Sequence, residues 1–178
     1  MDKIFLEGEK VYLRTLSIEN ATQEYTDWLN NETICQYNSH HRFPNTLANT
    51  QDYIHSTSSS QNSIILAIFD KNTQKHIGNI GLQSINLIDS QAEFAILIGE
   101  VSAHSKGIGE EASNLIIQHG FLSLNLHRIY CGTSEKNIPM QKLAKKLNFQ
   151  EEGIKKDDIF KDGKYLNTIH YGLLNPNH

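Results

Sequence analysis

The stretch VSAHSKGIGEEASNLIIQHGFLSL, Val101 to Leu124, constrains the fold of this chain more than any other. An apolar run, Ala95 to Ile98, precedes it. A turn containing Gly107 and Gly109 then leads into a helix with Ala112, Leu115, Ile116, His119 and Leu122 at helical spacing. The first turn of a helix has N–H groups without internal partners, and the helix dipole favours negative charge there. Glycine lets the backbone approach a ligand closely, and Lys106 adds a cation. The combination predicts a phosphate-bearing cofactor at the head of the helix that starts near Gly107. The bland alternative is a tight turn with a glycine packing contact. The turn is not a Walker P-loop, because no Gly-Lys-Ser/Thr closes it. It is also a poor dinucleotide fingerprint, since it lies past mid-chain rather than at the first strand of its domain.

The rest of the chain alternates strands and helices. Lys10 to Leu16 reads as a strand, with Val11, Leu13 and Thr15 on one side. A helix starts at Ser17 or Glu19 and places Tyr25, Trp28 and Leu29 on one apolar stripe. A polar, aromatic loop runs from Ile34 to Pro44, and Thr46 or Asn45 caps a second helix, Leu47 to Ser56. Ile64 to Phe69, His76 to Asn86 and Gln91 to Ile98 form a three-stranded meander that feeds the glycine turn. After the helix, His127 to Cys131 is a strand expected to lie parallel to the one before it. Asn137-Ile138-Pro139 opens a helix, Met140 to Leu147. Phe149 to Phe160 and Lys164 to Leu174 are strands joined by Asp162-Gly163, a hairpin signal. This is an α/β chain with a mixed sheet, and no linker or repeat divides residues 1–178, so one domain is expected.

Composition excludes several functions. The formal net charge is -4 and no Lys/Arg block forms a nucleic-acid footprint. Cys35 and Cys131 are far apart in sequence, which suggests neither a disulfide framework nor a metal cluster. The nine histidines show no metal-ligand spacing. No run is long enough to span a membrane and the N-terminus is not a signal peptide, so a cytoplasmic location is the default expectation.

Several motifs in order resemble the GCN5-related N-acetyltransferase (GNAT) superfamily. Within it, they resemble the branch of ribosomal-protein N-terminal and spermidine acetyltransferases. They are GEKVYLR from Gly8, DWLNNETICQY from Asp27, HSKGIGEEA from His104, and Asn137 followed by Lys145 to Phe149 and Glu152-Gly153. The resemblance runs from Leu6 to Leu174. It implies a GNAT-type acyl-CoA N-acyltransferase fold: a central, mixed, largely antiparallel twisted sheet of about seven strands, flanked by four helices.

It also implies acetyl-CoA as cosubstrate and no metal. The cofactor would be held by Ile98, Gly99, His104, Ser105, Lys106, Gly107, Ile108, Gly109 and Asn137. Asn137 would bond the pantetheine, and an ordinary helix cap is its other reading. Glu93, the one acid on the apolar strand AEFAILIG, is the candidate group that takes the amine proton. Its other readings are an electrostatic anchor for the amine and a strand-end acid that pairs with Arg14 or hydrogen-bonds the loop. The family's usual acid, a Tyr at the position of Ala144, is absent, so Tyr171 or His119 is the substitute candidate. Trp28, Tyr37 and Arg42 are the acceptor candidates, although Trp28 on an apolar stripe also reads as core. The expected activity is N-acetylation of a small-molecule primary amine (an amino sugar, amino acid or polyamine) by a monomer or homodimer. The alternatives are acetylation of a protein N-terminus and a silent CoA-binding module.

Overall fold

The structure is a computed structural model that describes residues 3–104 and 107–177. Eight strands form one sheet in the order β1-β2-β3-β4-β5-β6-β8-β7. They are β1 (Ile4–Glu7), β2 (Val11–Thr15), β3 (Ile64–Asp70), β4 (His76–Asn86), β5 (Gln91–Ile98), β6 (Arg128–Ser134), β7 (Gln150–Lys161) and β8 (Lys164–Leu174). Every pairing is antiparallel except β5 with β6, the strand-helix-strand unit expected from sequence. The helices are α1 (Gln23–Asn30), α2 (Leu47–Ser58), α3 (Ile108–Leu122) and α4 (Ile138–Lys146). The strand beyond the expected seven is β1. Its four residues are largely exposed on the sheet edge, so no buried alternation marks it in sequence.

The first helix starts later than the expected Ser17 or Glu19 and still carries its apolar stripe. A single tight turn, Ile18–Asn20, comes first, and Thr22 then caps α1 by accepting from the Tyr25 N–H. Thr46 caps α2 in the same way. Asn45 has a different task. It exchanges backbone hydrogen bonds with the Asn30 side chain, which ties the end of α1 to the start of α2.

The sheet has an apolar core on each face. One gathers Ile80, Leu82, Phe94, Ile116 and Ile129 beneath α3 and α4. The other gathers Tyr12, Tyr25, Trp28, Ile54 and Phe69 beneath α1 and α2. Strand alternation therefore sorts β5: Phe94 faces α3, while Leu97 packs with the α1 side.

His76 is enclosed by the rings of Tyr25, Trp28 and Phe69. Burial holds its pKa below the ordinary 6.5, against the raising effect of hydrogen bonds to Asn79 and Gly78. A histidine kept neutral by the fold contributes stability above its unfolded pKa, and that contribution is lost as pH falls below about 6.5. Thermal melts from about pH 7.5 to 5.5 should show a smaller drop for His76→Gln than for the unaltered protein. Equal drops would assign the acid sensitivity to other groups.

Candidate active site

The site begins where two parallel strands separate. β5 and β6 pair only from Gln91–Arg128 to Glu93–Tyr130. Beyond that point β5 stays with β4, and β6 stays with β8. The backbone edges of β5 and β6 that face this opening lack each other as ladder partners. Glu93 stands at the vertex.

The opening is continuous with a cavity of about 630 Å³. Residues 94–97 of β5 line one side of the cleft, and Gly132, Thr133, Ser134, Asn137 and Met140 line the other. On the sheet face beneath α1 and α2, the floor carries Asn79, Gly81, Gln83, Glu93 and Ala95. Tyr25, Tyr37, Asn49 and Tyr53 supply the walls. Glu93 is the only carboxylate among the described lining residues. A hollow of about 380 Å³ beside β1, lined by Lys3, Ile4, Phe5, Thr15 and Ser17, gathers no comparable array of polar groups.

The head of α3 retains unmatched donors. Gly107 is the N-cap, with φ of 77°, and no side chain among the described residues caps the helix. Two first-turn acids are engaged elsewhere. Glu110 pairs with Lys146 at 3.1 Å, and Glu111 accepts from the backbone N–H groups of Lys10 (2.8 Å) and Val11 (3.3 Å). The same arrangement brings the Lys10 ammonium beside the turn, 3.1 Å from where a Cβ on Gly107 would stand. Lys10 is a cation that sequence reading missed, because it lies about a hundred residues away. Ser105 and Lys106 lie outside the described residues.

The remaining candidates divide by position. His104 follows a short turn, Val101–Ala103, and its Nε2 sits 3.1 Å from the Ile98 carbonyl oxygen. Gly99 donates its N–H to Ile77, and its missing side chain has a packing reason. A Cβ there would collide with the Trp28 ring. Trp28 is 5% exposed and belongs to the core behind the cavity wall, so the acceptor role suggested for it has no geometric support. Asn137 caps α4 by accepting from the Met140 N–H and donates to the Thr133 hydroxyl, while still lining the cleft. Tyr37 lines the cavity.

Arg42 does not line the cavity; it donates to the Phe160 carbonyl at 2.7 Å. Beside it, Lys161 donates to the carbonyls of Cys35 (2.8 Å) and Asn38 (3.1 Å). These three hydrogen bonds fasten the loop after α1 to the tip of the β7–β8 hairpin. Tyr171 is 1% exposed and packs among Cys131, Ala144 and Phe149 on the α4 side. Burial raises its pKa, and its hydroxyl has no hydrogen-bond partner among the described residues. It does not line the cavity, because the β6–β8 register turns it away. His119 stacks edge-on against Phe5, near β1.

The family model described as acetyltransferase (GNAT) domain matches residues 10–150. An uncharacterized N-acetyltransferase of Bacillus licheniformis is 33% identical over 108 residues, 61% of this chain and 60% of that protein. The spermidine N(1)-acetyltransferase of Escherichia coli strain K12 is 33% identical over 92 residues, 52% of this chain and 49% of that one. The match thus spans 60% and 49% of the length of these two relatives. The crystal structure of spermidine N-acetyltransferase from Vibrio cholerae in complex with CoA and spermine superposes with a TM-score of 0.84. It is 23% identical, covers 94% of this chain and 96% of that one, and shares the fold.

Proposed function

The chain belongs to the GNAT acetyltransferase family, and on that premise we propose that it transfers an acetyl group from acetyl-CoA to the primary amine of a small, polar molecule. The observation that carries this reading is the cleft between β5 and β6, which has Glu93 at its vertex and opens into the cavity.

Acetyl-CoA supplies an activated acyl carbonyl as its thioester. The uncapped N–H groups of Gly107, Ile108 and Gly109 hold its diphosphate, with the Lys10 ammonium adding positive charge. Ser105 and Lys106 extend this loop as sequence-based members of the same site. The cleft edge of β5 up to Ile98 bonds the pantetheine amides as a strand partner would, while the Gly99 N–H is already given to Ile77. Asn137 remains at the cleft beside its capping role.

The acceptor amine must attack as the neutral base. Glu93 accepts the proton that it sheds, directly or through water, as nitrogen bonds to the carbonyl carbon. Backbone N–H groups at the cleft stabilise the oxygen anion that forms. The carbon–sulfur bond then breaks and releases CoA and the amide. Tyr171 is assigned no step, because its hydroxyl lies outside the cavity.

The cavity also supports an acceptor class. A polyamine calls for several carboxylates, and here Glu93 is the only one among the described lining residues, beside amide, phenol, hydroxyl and His40 imidazole groups. The fastened loop bounds one side of the cavity, which suits a small molecule better than an extended peptide. Thiol release from acetyl-CoA across polyamines, amino sugars, amino acids and short peptides tests the reading. Turnover of a small polar amine is expected. Turnover of peptides alone would overturn the acceptor class. Acetyl-CoA binding without release by any amine would overturn catalysis.

A further inference from the structure

We propose that Asn79 selects the acceptor by donating a hydrogen bond to an oxygen at the end remote from the reacting amine. This inference rests on the acetyl-transfer reading above and adds the polarity of the far end of the cavity.

His76 fixes the orientation of the Asn79 amide. Its Nε2 lies 2.9 Å from the Gly78 carbonyl oxygen and 2.9 Å from Asn79 Oδ1. A carbonyl oxygen only accepts, so Nε2 carries the proton. The Asn79 amide must then turn its own oxygen toward His76. Its NH₂ group is left over. Asn79 is 8% exposed and lines the cavity, and Nδ2 is buried without a partner among the described residues. Buried amide donors are ordinarily satisfied, so the orphan Nδ2 calls for an acceptor, and a bound molecule that reaches it from the cavity must displace the atoms that now screen it.

The sheet register sets the spacing. Gln83 is opposite Glu93, and Asn79 lies four residues back along β4, opposite Leu97. At the rise of a strand this separates the two positions by about 13 Å along the floor. Gly81 and Ala95, cross-strand partners between them, leave that floor low. A molecule with its amine at Glu93 thus extends over Gly81 and Ala95 and meets an N–H donor at the far end. An oxygen there, as hydroxyl, carbonyl or carboxylate, completes the bond. A second ammonium would set donor against donor.

The test compares diamines, amino alcohols and amino acids of matched butyl, hexyl and octyl chain length. The ratio of kcat/KM for the oxygen-ended compound to that for the diamine is read within each protein, so a loss of active enzyme cancels. The unaltered protein should favour the oxygen-ended compounds by about tenfold or more at the best-fitting length. Asn79→Leu removes the donor and should bring the ratio near unity. Asn79→Asp keeps an oxygen for His76, replaces the donor by an acceptor, and should invert the preference. It also covers the case in which the leucine variant does not fold. Transfer at one common ratio in all three proteins would overturn this inference alone. No CoA release with any amine would overturn the acetyl-transfer reading and this inference with it.

Discussion

Glu93→Gln is expected to lower kcat at neutral pH by about 10²- to 10⁴-fold, the usual worth of a positioned general base. Gln is similar in size and keeps a hydrogen-bonding oxygen, so the amine can still be held, but it cannot take up a proton. The loss should therefore shrink as pH rises toward the acceptor's own pKa, about 10 for an alkylamine. There the amine arrives already neutral and the base is not needed. Stopped assays of kcat from about pH 7 to 10 separate two roles that geometry alone leaves joined. A deficit that closes at high pH identifies proton uptake. A constant deficit, with most of the loss in KM, identifies an electrostatic anchor. No deficit at all would remove Glu93 from the mechanism and leave the vertex of the cleft without its chemical group.

Gly107→Asp should weaken acetyl-CoA binding by tenfold or more, on the order of one to two charge-assisted hydrogen bonds. Gly107 has φ of 77°, a left-handed conformation that Asp tolerates better than most residues. The nearest obstacle to its side chain is the Lys10 ammonium at 3.1 Å, the movable end of a long chain. Once in place, the carboxylate would do what no side chain among the described residues does: cap the first turn of α3 and satisfy its dipole. It would thereby fill the position proposed for the diphosphate. Affinity and stability should move apart. Calorimetry should show weaker binding while the melting temperature holds or rises. Weaker binding with an equal loss of stability would point to general damage instead.

The alternation of elements was legible because it is local. Apolar periods, caps and the Asp162-Gly163 turn lie within short windows, and the strand-helix-strand unit around α3 followed from them. What escaped notice depends on register or on distant chain. Tyr171 stands on the expected strand, but the pairing of β8 with β6 puts it on the face away from the cavity. A one-residue shift would have reversed that. Arg42 looked available in a polar loop, yet its partner is a carbonyl 118 residues away. Trp28 follows its apolar stripe into the core. Lys10 reaches the α3 turn only because Glu111 ties the start of β2 to that helix. Asn79 did leave a signal, a polar amide inside the apolar run HIGNIGL. The meaning of that signal depends on the His76 ring three residues earlier, which turns the amide, and on the cavity, which no local pattern shows.

The central claim is that the head of α3 grips the diphosphate of coenzyme A. Titrating the protein in a calorimeter with acetyl-CoA and, separately, with S-acetylpantetheine tests it most directly, because the second compound carries the thioester arm without the diphosphate. Acetyl-CoA should bind clearly, with affinity at least about a hundredfold weaker for the truncated compound. Equal affinity for the two, or no binding of acetyl-CoA, would contradict that claim.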